Sequence, residues 1–105
     1  MLVVYSVFPD LETAQNISKE AVSNKLAACA NIFPQIQSFY IWKEQVENSF
    51  ETVVLFKTSP AKSEALQKWI LQHHPYEIPC LMTFRPQDIN DTYLNWLQDT
   101  LRLRP

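Results

Sequence analysis

Two cysteines, two histidines and one alternating aromatic and charged stretch are where this 105-residue chain could do chemistry. Cys29 and Cys80 form no Cys-x-x-Cys pair and match no zinc-finger spacing, so in a reducing compartment both are expected as free thiols. Cys29 reads as a small buried apolar side chain. His73 falls at the end of a helical stretch, where partial positive charge is favourable. His74 reads as structural, its ring bonding backbone carbonyls and holding the turn before Pro75. Tyr76 is either a packed ring or the wall of a pocket between subunits. Tyr40, Trp42, Glu51 and Lys57 form a second group, in which Glu51 and Lys57 share one face of one strand. Aromatic walls with a few convergent charges make a default small-ligand site. The competing reading is packing between subunits plus a surface ion pair worth little.

Composition removes several function classes. The chain contains no glycine, which excludes every glycine-rich phosphate loop and leaves turns to Asn, Asp, Ser and Pro. There is no Gly-x-Ser-x-Gly elbow, His-Glu-x-x-His helix or kinase signature. A Cys80–His74 dyad would have no oxyanion hole and no third orienting group, so the chain reads as a binding protein, not an enzyme. A formal net charge of -2 and a pI near 5.6 provide no field to gather nucleic acid. The longest apolar run, Leu2 to Phe8, is too short to span a bilayer, and no secretory signal pattern is present, so no membrane partner and a cytoplasmic location are expected.

The elements that must position these residues follow from periodicity. Hydrophobic residues make up 47% of the chain and charged ones 19%, an ordinary globular balance for a single domain over 1–105. Leu2 to Phe8 is nearly continuous apolar, as in a buried central strand. Asp10 caps a helix in which Leu11, Ala14, Ile17, Ala21 and Val22 recur to about Asn24. Ala28 to Phe33 reads as a strand; Pro34 implies a bend or an edge position. Alternation then resumes with Ile36, Ser38, Tyr40 and Trp42 on one face. Lys43-Glu44-Gln45 reads as a turn, and a further strand runs from about Val46 to Lys57. Ser59-Pro60 opens a second helix, with Ala61, Ala65, Leu66, Trp69 and Ile70 as its apolar stripe, stopping before Pro75. Cys80 to Arg85 reads as a fourth strand. Asn90 or Asp91 caps a last helix with Tyr93, Trp96, Leu97 and Leu101 on one face.

The order is an α+β, ferredoxin-like βαββαβ sandwich with an extra C-terminal helix. Its two central strands exceed the usual three to ten residues, and one small domain cannot cover both faces of so long a hairpin. The outer part carries Phe39, Tyr40, Ile41, Trp42 and Phe50. Apolar edge strands of this kind invite another chain, so an obligate oligomer is expected, and a closed ring would satisfy every edge.

Several segments in register resemble the CutA family. They are Lys25-Leu26-Ala27-Ala28-Cys29-Ala30-Asn31-Ile32-Phe33-Pro34, then Ser38, Tyr40 and Trp42, then Glu51 with Leu55-Phe56-Lys57-Thr58. His73-His74-Pro75-Tyr76-Glu77-Ile78-Pro79 and Tyr93-Leu94-Asn95-Trp96-Leu97 complete the set. The resemblance implies a homotrimer similar in plan to the PII signalling proteins, and a role in tolerance of copper and other divalent cations. It also implies a metal site. The proposed ligands of one branch of the family correspond here to Ser6, His73 and Cys80. Serine is a poor ligand for a soft ion, which leaves His73 and Cys80. Thiolate plus imidazole suits Cu(I), Zn(II) or Cu(II), and neighbouring subunits or His74 would have to complete the site. The rival reading is a PII-like trimer that binds a small molecule, or docks a partner, in clefts involving Trp42, Glu51, Lys57, His74 and Tyr76.

Overall fold

The computed structural model describes residues 1–102; the last three residues of the expected domain lie outside the described residues. The elements run β1 (Leu2–Phe8), α1 (Leu11–Ser23), β2 (Cys29–Trp42), β3 (Gln45–Thr58), α2 (Pro60–His73), β4 (Leu81–Phe84) and α3 (Asp91–Arg102). The strands form one four-stranded antiparallel sheet in the order β2-β3-β1-β4. The first six elements thus follow the expected split βαβ order.

Helices α1 and α2 each start where a side chain accepts a bond from an otherwise orphaned backbone N–H. Asp10 accepts from Thr13 N at 2.8 Å, and this bond holds the Asp10 carboxyl below the ordinary carboxylate range. Ser59 accepts from Lys62 N at 3.3 Å, with Pro60 opening α2. Helix α1 closes in a Schellman turn: Leu26 N donates to Ala21 O at 2.9 Å and Lys25 N to Val22 O at 3.0 Å. That turn requires the left-handed region, and Lys25 occupies it at φ 57°. Glycine would adopt it without the Cβ clash. Lys25→Gly is therefore expected to raise stability by about 1 kcal/mol, read as a higher midpoint in a urea melt with an unchanged slope.

Even-numbered β1 and β3 residues face α1 and α2, and odd-numbered ones face away. Val4 pairs with Phe56 and Ser6 with Val54 on the helix side; Tyr5 pairs with Leu55 and Val7 with Val53 on the other. The core gathers Val4, Phe8, Val54 and Phe56 with Ala14, Ile17 and Ala21 of α1 and Leu66 and Ile70 of α2. In α2 the buried stripe is Ser63, Leu66 and Ile70; Ala61 and Ala65 are exposed, contrary to the sequence expectation. Helix α3 makes a separate small cluster, Leu97 and Leu101 against Ala28, with Tyr93 packed beside them, while Trp96 stays exposed. Strand β4 is shorter than expected: Cys80 and Arg85 fall outside it.

The long hairpin shows two local departures from regular geometry. Lys43 and Glu44 link the Trp42–Gln45 pair with φ 51° and 67°, the signature of a type I′ turn that usually recruits Asn-Gly. Further in, the register shifts between Phe33 and Ile36, so that Pro34 and Gln35 together oppose Thr52. Gln35 has φ 57°, and Pro34 lies on the edge strand, where its missing N–H costs no ladder bond. This bulge changes which sequence parity faces which side. Asn31 and Phe33 face away from the helices before it; Ile36, Ser38, Tyr40 and Trp42 do so after it.

Beyond the bulge the hairpin extends past the helices. Phe39, Ile41, Val46 and Phe50 share its helix-side face and are 68%, 67%, 71% and 63% exposed. Tyr40 and Trp42 are also exposed, on the opposite face. The molecule measures 46 × 29 × 21 Å, elongated along this arm.

Candidate functional site

The bulge brings Ser38, Tyr40 and Trp42 of β2 beside Glu51 of β3, on the sheet face that α1 and α2 leave open. The loop after α2, bounded by Pro75 and Pro79, folds over the end of β1 against them. Together they border a half-open cavity of about 500 Å³. Hairpin residues Ser38, Tyr40, Trp42 and Glu51 form one wall; Tyr76, Glu77, Ile78 and Cys80 form the other, with Val7 between.

Three hydrogen bonds fix the loop. The Tyr76 hydroxyl donates to Glu51 Oε2 at 2.5 Å, linking the loop to the hairpin. Burial raises the Tyr76 pKa, and the bond to Glu51 and the Glu51 charge add to it, so the phenol stays protonated and donating. Tyr5, on the same open face, is also raised, first by burial and then by the nearby Cys80 and Glu51 charges.

The two adjacent imidazoles have different chemistry. His74 Nε2 lies 2.9 Å from the Val7 carbonyl and must donate to it. Its Nδ1 accepts from Tyr76 N at 3.1 Å. Both nitrogens are occupied, the tautomer is set, and the ring stacks on Phe8 at 4.5 Å and 16°. Burial lowers the His74 pKa from its ordinary 6.5, outweighing the bond to Val7. Both His74 nitrogens are thus engaged by the backbone. His73 Nδ1 lies 2.9 Å from the Trp69 carbonyl and donates to it, so the acceptor lone pair of this exposed ring is on Nε2.

Of the residues singled out in the sequence, Tyr40, Trp42, Glu51, Tyr76 and Cys80 come together around the cavity. His73, His74 and Lys57 do not line it. Lys57 places its Nζ 5.2 Å from the centre of the Tyr93 ring, and it makes no ion pair with Glu51 among the described residues. The Ser6 hydroxyl is buried and donates to the Cys80 carbonyl at 2.7 Å, so it orients the Cys80 backbone and is not presented to a ligand. Cys80 itself is an exposed free thiol; Cys29 is only half-buried, less than the sequence suggested. No group of three His, Cys, Asp or Glu able to hold a metal ion is found among the described residues.

Sequence reasoning missed Tyr5, Val7, Ser38, Glu77 and Ile78 as neighbours of this site. The signal for Tyr5 and Val7 was their odd position in β1, concealed because the run reads as apolar throughout. Glu77 and Ile78 lie inside a loop whose path no periodicity describes.

The family model of the CutA1 divalent ion tolerance protein matches residues 2–100. The chain is 37% identical over 100 residues to a divalent-cation tolerance protein CutA of Yersinia pestis, covering 95% of this chain and 84% of the relative. Among solved structures, CutA1 of Ehrlichia chaffeensis superposes with a TM-score of 0.94 at 34% identity, covering 97% of this chain and 95% of that one. A protein of Archaeoglobus fulgidus, described as a periplasmic divalent cation tolerance protein CutA, superposes with a TM-score of 0.90 at 32% identity over 96% and 99% of the two chains.

Proposed function

The chain belongs to the CutA1 divalent ion tolerance family, and from that membership we propose that it is a homotrimeric, cytoplasmic metal-binding protein whose favoured ion is copper. His73 and Cys80 are the ligands this chain contributes. The observation that carries the assignment is the split between the imidazoles: His74 has no nitrogen to give, whereas His73 offers Nε2 while its Nδ1 donates to a backbone carbonyl. That second bond is the usual orienting partner of a metal-bound histidine. Cys80 adds an exposed thiol on the wall of a cavity that also carries Glu51 and Glu77. Sulfur and imidazole donors fit Cu(I), Cu(II) or Zn(II) better than hard ions.

Two ligands per chain are too few for a closed site, so further donors come from neighbouring copies. The exposed apolar arm supports such an assembly, because both of its faces are uncovered in one chain. The test is titration of reduced protein with Cu(I), Cu(II) and Zn(II), followed by calorimetry. Saturable binding that weakens as pH falls is expected, since the ligands must lose protons. The His73→Ala, Cys80→Ser double variant should lose it. Undiminished binding in that variant sinks the ligand assignment.

A second reading is favoured by the cavity itself. Its size and aromatic lining suit a small organic molecule, as in a PII-like sensor. A metal sensor gains melting temperature with copper or zinc; a small-molecule sensor does not.

A further inference from the structure

The cavity has a chemical character more specific than its size. Tyr40, Trp42 and Tyr76 line it together with the acidic residues Glu51 and Glu77. No lysine, arginine or histidine lines it among the described residues. The nearest cationic candidate by strand face, Lys57, is drawn off to the ring of Tyr93. Tyr76 has its hydroxyl engaged by Glu51, so it meets the cavity as a ring and not as a donor. That bond occupies Oε2 and leaves Oε1 as the acceptor through which Glu51 can receive a ligand N–H.

We infer that this cavity binds an organic ammonium cation, with an aromatic or alkyl stem against Trp42 and Tyr40 and its N–H groups toward Glu51. Anions are repelled by Glu51, and a neutral donor can bond its remaining oxygen but leaves the carboxylate charge uncompensated. An ammonium group satisfies both the carboxylate and the ring quadrupoles, which attract cations over their faces. The aromatic rings add contact for the stem of an organic cation, which a hydrated metal ion lacks. The inference rests on the small-molecule reading of this cleft; because Cys80 lines the same cavity, the measurement is made without free metal.

The test compares phenethylammonium with its neutral analogue phenethyl alcohol, by calorimetry on the full chain with EDTA present. Phenethylammonium should bind saturably, one per chain, about ten-fold or more tighter than the alcohol. Glu51→Gln keeps an acceptor for Tyr76 but removes the charge, and should erase that preference. Trp42→Leu should weaken both ligands, with Trp42→Phe retaining most of the affinity and controlling for folding. Equal affinity for amine and alcohol overturns the inference while leaving the small-molecule reading intact. Failure of both to bind overturns the two together. An amine preference that survives Glu51→Gln places the cation elsewhere and also overturns it.

Discussion

A Phe39→Glu, Phe50→Glu variant is expected to sediment as a monomer under conditions where the parent, on the proposed assembly, sediments as a trimer. Phe39 and Phe50 are more than half exposed on the same side of the hairpin arm as Ile41 and Val46, and no helix of their own chain reaches them. An apolar surface on an arm this long is stable in water only when another copy covers it. Placing two carboxylates inside such an interface costs on the order of several kcal/mol each, enough to dissociate it. The α1–α2 core, centred on Phe56, Leu66 and Ile70, lies at the other end of the sheet and should stay folded. Sedimentation equilibrium read beside the far-ultraviolet spectrum checks both halves. A monomeric parent, or a variant still trimeric, refutes the assembly. The same variant should lose tight metal binding if ligands come from neighbouring copies.

His74→Ala is expected to destabilise the fold by about 3 kcal/mol. It leaves the Val7 carbonyl and the Tyr76 N–H without their partner and opens a space against Phe8. The pH dependence distinguishes this tie from simple packing. The folded-state pKa of His74 lies below 6.5 because burial disfavours the charged ring. Its contribution is therefore complete above pH 6.5 and is lost as pH falls from there through the lower folded value, because the unfolded chain takes up the proton first. A second proton would also set an N–H on Nδ1 against the Tyr76 N–H. Urea melts between pH 5 and 8 should show a fall in parent stability on the acid side, and a smaller one in His74→Ala. Equal slopes in both would refute the assignment. The tie matters for function because it anchors the loop carrying Tyr76, Glu77 and Cys80.

Much of the architecture was legible because local rules agreed. Asp10 and Ser59-Pro60 marked helix starts, Pro34 marked the edge and bend of β2, and the apolar periods separated strands from helices. The motif around His74-Pro75-Tyr76 falls in the loop that borders the cavity. Its internal division of labour was less accessible. His73 and His74 are neighbours in the chain, yet only three-dimensional placement shows that one ring is saturated and the other is not. Glu51 and Lys57 share a strand face as expected, but their side chains go to different partners, Tyr76 and Tyr93, which lie far away in sequence.

By itself the sequence determined the element order and the overlong apolar hairpin. These depend on side-chain type and short-range period, which are properties of consecutive residues. The tertiary structure decided where the bulge falls, and hence that Ser38, Tyr40 and Trp42 face the cavity instead of the helix side. A bulge reverses the parity of every residue after it, and its position depends on how β2 registers against β3, a long-range pairing that no window along one strand contains.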